Sequence, residues 1–223
     1  MKRLLAIVLL VAGCAASTTS PAPTTTPSST LVGGPTNPSQ SLEVDPFRGL
    51  PYTMELPDGW FGGGPDTFAE ERRAFESANP ELAQSVKEMS PPVGDVFVGR
   101  SRDGAITLSA NSLAAGAGWS SEAAILDESE RQNLEAIASL PSTIGKPEAD
   151  RVTLPAGEAV RIRWTSSVAD PRDGSASESA DVGYALTDGV TIVVVVFGLR
   201  GFDGSPDQAA QVEHIMETFQ IRP

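Results

Sequence analysis

The chain is poor in the groups from which most catalytic and metal centres are built. Its 223 residues include one cysteine, Cys14, and one histidine, His214. A lone thiol cannot close an intrachain disulfide, and one thiol with one imidazole falls short of a zinc ligand set, so no metal is expected. A histidine-assisted nucleophile would depend on His214, and no G-x-S-x-G elbow is present to serve it. Lysine occurs only as Lys2, Lys87 and Lys146, and 16 basic residues stand against 29 acidic ones, a net charge of −13. Such a surface is repelled by nucleic acid and by anionic headgroups, so no nucleic-acid partner is expected and the excess acid serves solubility. No apolar run approaches the roughly 20 residues that a membrane-spanning helix needs.

The N-terminus accounts for the cysteine. Lys2 and Arg3 supply a positive end, Leu4 to Ala12 a short apolar core, and Gly13 a small residue at the processing position, which together read as a secretory signal. Val11-Ala12-Gly13-Cys14 resembles the lipobox of bacterial lipoproteins, in which cleavage after the small residue leaves a diacylated cysteine at the mature N-terminus. Two acyl chains suffice for stable anchoring. The expected organisation is a lipoprotein signal peptide over 1–13, an acylated Cys14 with a Ser/Thr/Pro-rich tether over 14–45, and one globular domain over 46–223. The tether has too few apolar residues to order itself, and its hydroxyls beside prolines invite O-glycosylation. The implied location is the extracytoplasmic face of the cell membrane, and the domain must stand on its core without disulfides.

Alternation of Tyr52, Met54 and Leu56 with Thr53 and Glu55 predicts a strand that stops at Pro57-Asp58-Gly59. A helical region follows from Asp66 to about Met89, with Phe68 and Phe75 on one face, a break at Asn79-Pro80, and Leu82, Val86 and Met89 continuing the spacing. Three hairpins are expected, turning at Asp103-Gly104, at Ala156-Gly157 and, as a type I′ turn, at Asp188-Gly189. They make the sheet largely antiparallel. Val160, Ile162 and Trp164 alternate with Arg161, Arg163 and Thr165, giving that strand one apolar and one polar face. Ile192 to Phe197 does not alternate, which predicts a central strand with helices on both sides of the sheet. Those helices are expected from about Ser120 to Leu140, with Ile125, Leu134 and Ile137 buried, and from a capping box at Ser205-Pro206-Asp207-Gln208, with a stripe of Ala209, Val212, Met216 and Phe219 and Ile215 beside it. The stretch from Ala169 to Ala180 reads as a polar loop.

This order of elements is similar to the PsbP-like α/β/α sandwich, an α+β fold with a largely antiparallel sheet. The segments "YTMELPDGW", "VTLPAGEAVRIRW" and "HIMETFQI" resemble those of exported actinobacterial lipoproteins of the LpqN type. The resemblance implies an accessory, binding or assembly role and brings no catalytic signature with it.

Little else points to chemistry. Gly62-Gly63-Gly64 lacks the Lys-Ser/Thr of a phosphate loop and reads as a flexible connection. Asp170, Asp173 and Ser175 lack calcium-loop spacing, and Glu70 to Arg73 read as a solvated helix face. No motif implies a cofactor. Trp60, Phe61 and Trp119 stand at element ends, where pocket rims form, and are the candidate residues for binding a lipid-like ligand or an envelope protein. The resulting expectation is a membrane-anchored binding or accessory protein rather than an enzyme. The alternative is an envelope enzyme whose carboxylates converge only in the fold.

Overall fold

A computed structural model describes residues 45–80, 87, 89–115, 119, 121–169, 176–200 and 206–222. The elements, in chain order, are β1 (Tyr52–Thr53), β2 (Phe61–Gly63), α1 (Phe68–Ala78), β3 (Val96–Arg100), β4 (Ile106–Ala114), α2 (Glu122–Ala138), β5 (Thr143–Leu154), β6 (Gly157–Ala169), β7 (Ala176–Thr187), β8 (Thr191–Arg200), α3 (Pro206–Thr218) and β9 (Gln220–Ile221). Seven strands form one antiparallel sheet in the order β2-β3-β4-β8-β7-β6-β5. β8, the strand without alternation, lies fourth of the seven.

That position explains its composition. Val193, Val195, Phe197 and Leu199 enter one core with Val212, Ile215, Met216 and Phe219 of α3, while Ile192, Val194 and Val196 enter another with Ile125, Leu126 and Ile137 of α2. A strand buried on both faces has no position for a polar residue. The fold is therefore α+β, with an antiparallel sheet and helices on both faces. Leu134 sits at the margin of the α2 core, Ala209 is exposed, and Ile215 is wholly buried at the centre of the α3 stripe. α2 begins at Ser121, whose side chain accepts from the Ala124 N–H. The capping serine expected for α3, and the apolar positions expected at Leu82 and Val86, lie outside the described residues.

The hairpins form with corrections. The first turns through Asp103-Gly104 as expected, with Asp103 Oδ1 accepting from the Ser101 hydroxyl and the Ala105 N–H. The second turns at Pro155-Ala156, one residue early: proline suits the first turn position, Ala156 keeps a negative φ, and Gly157 takes φ 125° just after. The third is a loop of Asp188, Gly189 and Val190 rather than a type I′ turn, because only Gly189 has a positive φ and Asp188 Oδ1 caps the Val190 and Thr191 N–H groups. Of the polar stretch after Val168, Ala169 and residues 176–180 are strand, the β6–β7 ladder running out to Ala169 opposite Ala176, while Asp170, Asp173 and Ser175 lie outside the described residues.

Two further expectations change. The first strand is paired only at Tyr52 and Thr53, to Ile221 and Gln220, although burial still alternates through Met54. Gly62-Gly63-Gly64 is no flexible connection. It is buried at the β2 edge, where a Cβ on Gly63 would stand 2.8 Å from the Phe68 Cα and one on Gly62 2.5 Å from the Phe97 ring. Glycine is required there because neighbouring atoms occupy the space of a side chain.

The two ends of the domain are tied together. Arg222 reaches the Asp45 carboxylate at 3.1 Å and the Phe47 carbonyl at 3.3 Å, and Asp45 also accepts the Phe47 N–H. Asp45 therefore lies at the pole where α3 ends.

A cleft between the last helix and the sheet

The three aromatic candidates do not share a site. Phe61 is 3 % exposed and packs edge-on against Phe68 and Phe75 in a small core of its own. Trp60 lies half-buried against the α3-side core, its indole N–H donating to Gln211 Oε1 at 2.8 Å. Trp119 packs on the opposite face of the sheet, against the α2-side core. The cavity it lines, between α2 and β8, measures about 30 Å³, room for one or two waters and no larger ligand. Element-end aromatics here close the margins of cores, which is the commonest use of such residues. Gly13 and Cys14 lie outside the described residues.

A larger space opens elsewhere. α2 packs across β5, β6 and β7 on one face of the sheet. On the other face α3 buries its stripe over β4, β8 and β7, and the sheet continues beyond it through β6 and β5. Between α3 and this uncovered stretch lies a cleft of about 520 Å³, open along one side. Its floor is aliphatic, formed by Ala180, Val182 and Leu199 with Val212 of α3. One wall is the exposed Ala209 and Glu213 of α3, and the other is the polar face of β6 with the lip of β5.

The sheet wall is set by strand register. Glu148 and Asp150 of β5 stand opposite Arg163 and Arg161 of β6. Arg161 grips Asp150 through Nε at 3.1 Å and Nη2 at 2.6 Å, and its charge also acts on the nearby Tyr184 phenol. This bidentate bond holds the Asp150 carboxyl below its usual range, and burial raises the Tyr184 phenol. Arg163 touches Asp150 only at 3.5 Å and keeps about half of its side chain exposed. Lys146 is exposed, and no ion pair joins it to another described residue. Its lip is shaped by a β-bulge between Ile144 and Glu148, where Gly145 takes φ 75° and Pro147 removes a ladder donor. The same features deny the β5 edge to another strand.

Opposite this wall, on the α2 side, β7 carries a buried acid. Asp181 accepts from the Ser166 hydroxyl at 2.6 Å and the Ser179 hydroxyl at 3.1 Å, and Gly198 leaves room for it beside Thr107. Loss of hydration raises the Asp181 pKa despite those bonds. The two aspartates therefore have opposite linkage. Asp181 costs stability once ionised, so Asp181→Asn should raise Tm near pH 8 and lose that advantage below about pH 4, where the unfolded chain is protonated as well. Asp150 stabilises as an anion, so Asp150→Asn should lower Tm at pH 7, and its deficit should vanish as pH falls below the ordinary carboxylate range. Thermal melts of both variants across pH 3–8 check the signs; the same slope for both would contradict the assignment.

Sequence reading found β6 to have a polar face but not that this face lines a cleft. The available signal was Arg-x-Arg on a strand whose other face carries Val160, Ile162 and Trp164, opposite acids on the preceding strand. Among the described residues no group of His, Cys, Asp and Glu is arranged to hold a metal ion. None of their helices is long and apolar enough to cross a membrane.

Fold and cleft together define a class: an α+β sandwich with a ligand-sized trough beside its last helix. No family model matches the sequence, and no curated protein matches it. Among solved structures, the chain is similar to a protein from Bacteroides thetaiotaomicron, with TM-score 0.45 and 13 % identity over 78 % of this chain. It spans less than half of that protein, 46 % of its length. It is also similar to the cyanobacterial PsbP of Synechocystis, with TM-score 0.44, 14 % identity and coverage of 77 % of this chain and 86 % of that one. A third similar structure is LpqN, involved in cell envelope biogenesis of Mycobacterium tuberculosis, with TM-score 0.41, 14 % identity and coverage of 77 % and 83 %. These likenesses concern the fold and say nothing of activity.

Proposed function

We propose that this is a lipid-anchored extracytoplasmic binding protein that holds an envelope ligand in the cleft between α3 and the sheet. The observation that carries the reading is the cleft itself. At about 520 Å³ it falls within the roughly 300–1,000 Å³ of small-molecule sites, and it joins an aliphatic floor to a few charged groups on its walls. The anchor rests on the Val11-Ala12-Gly13-Cys14 segment, and the tether over 15–45 spans up to roughly 100 Å when extended. The membrane is the partner reached through that anchor, and the ligand is met within the tether's reach.

A carboxylate enzyme is the second reading, because Glu148 and Glu213 both line the cleft. Asp150 is committed to Arg161, which makes it a structural anion rather than a proton donor. Native mass spectrometry of the full chain extracted from its membrane tests the binding reading. A non-covalent adduct is expected on the wild type and not on Ala209→Trp, whose indole fills the cleft from an exposed helix position. Equal adduct on both proteins, or none on either, would count against it.

A further inference from the structure

The cleft's occupant follows from three features of its construction. The trough is open along one side, so a bound molecule keeps one face in water. For an acyl chain that arrangement is wasteful, since each Å² left exposed forgoes about 25 cal/mol. A saccharide loses little by it, because its exposed hydroxyls stay hydrated.

The second feature is charge. Among the residues lining the cleft, Lys146, Arg161 and Arg163 are answered by Glu148, Asp181 and Glu213, three of each sign, with Asp150 bonded to Arg161 beside them, and the two exposed carboxylates, Glu148 and Glu213, lie on opposite walls. An anionic headgroup entering here would approach Arg163 and Lys146 only in the company of Glu148. A neutral ligand meets no such opposition.

The third is the pattern of hydrogen-bonding groups. Donors on the β5–β6 wall, Arg163 and Lys146, face the acceptor Glu213 across the aliphatic floor, with the Thr165 hydroxyl also in the lining. Hydroxyls that both donate and accept satisfy the two walls at once, and the C–H face of a sugar ring suits the floor of Ala180, Val182 and Leu199.

We infer that the cleft binds a neutral polyhydroxylated ligand, a short saccharide segment, with Arg163 and Glu213 bonding its hydroxyls from opposite walls. This rests on the binding reading above and names the ligand class for the same site. No bond is made or broken.

Saturation-transfer NMR tests it on the full chain in a polyoxyethylene detergent, which carries no sugar. The probes are maltotetraose, tetra-N-acetylchitotetraose, palmitate and dodecyl phosphate. Saturation of at least one oligosaccharide is expected, lost in Ala209→Trp and weakened about tenfold or more in Arg163→Gln and in Glu213→Gln, each of which removes a charge-assisted bond. Both residues are exposed, so these variants should fold, and unchanged far-UV circular dichroism confirms it. Saturation of palmitate or dodecyl phosphate but of neither oligosaccharide, abolished by Ala209→Trp, would overturn the saccharide assignment and leave the cleft as a binding site. Oligosaccharide binding unaffected by all three variants would overturn the site as well, and saturation of no probe would overturn the proposal.

Discussion

Phe197→Ala should lower the unfolding free energy by about 3–5 kcal/mol, the usual cost of emptying a fully buried aromatic position. Phe197 is 0 % exposed on the central strand, where it faces Leu108 of β4 and Val182 of β7 in register and meets the Tyr184 ring edge-on at 6.3 Å. Both neighbouring strands are held in the sheet and α3 lies above, so the site cannot collapse around the void. Against a typical total of 5–15 kcal/mol, with no disulfide in reserve, that loss would leave the domain marginal at 37 °C. Urea denaturation measures it. Val190→Ala, at a loop position 71 % exposed, should stay within about 0.5 kcal/mol of wild type and serves as the control. A Phe197→Ala loss below about 1.5 kcal/mol would mean that the centre of the sheet is not packed as described.

The second large effect concerns location. Cys14→Ser removes the only thiol in the chain, and an alcohol cannot take its place as the acyl acceptor in lipoprotein maturation. With no membrane-crossing helix among the described residues, the bilayer affinity of the mature chain would rest on two acyl chains at about 0.8 kcal/mol per buried methylene. Their loss should move the protein from the membrane fraction almost entirely, as released soluble chain or as unprocessed precursor of higher mass. Fractionation followed by intact mass measurement reads both. Normal processing with unchanged membrane retention would contradict the lipid anchor.

How much of this was legible before the fold is instructive by element. The central strand was visible because Ile192 to Phe197 offers no polar face, and a strand of that kind has to lie between two layers. The hairpins were visible because Asp103-Gly104, Ala156-Gly157 and Asp188-Gly189 each stand between two strand-like runs, although the second turn falls one residue earlier than read. Finer turn geometry was not, since one positive φ at Gly189 and none at Ala156 depend on how neighbouring groups cap the loop. Gly62-Gly63-Gly64 looked like slack because sequence cannot show that Phe68 and Phe97 stand where its side chains would be.

The cleft was illegible for a similar reason. It exists because α3 lies over β4, β8 and β7 and leaves bare the β6–β5 stretch that α2 backs from the other side, and coverage is a property of packing. Arg161 and Arg163 were seen as the polar face of a strand, yet nothing in their spacing shows whether that face meets solvent or a helix. Trp60 drew attention by its size and place, and it is occupied by Gln211.

The central claim is that ligand enters between α3 and the β5–β6 face. Hydrogen exchange read by mass spectrometry, on the full chain with and without a detergent extract of its own envelope, tests this most directly. The account predicts slowed exchange confined to residues 144–148, 161–165 and 206–213, and none of it in Ala209→Trp. Protection centred on Trp119 and α2, or protection that survives Ala209→Trp unchanged, would place the site elsewhere and contradict it.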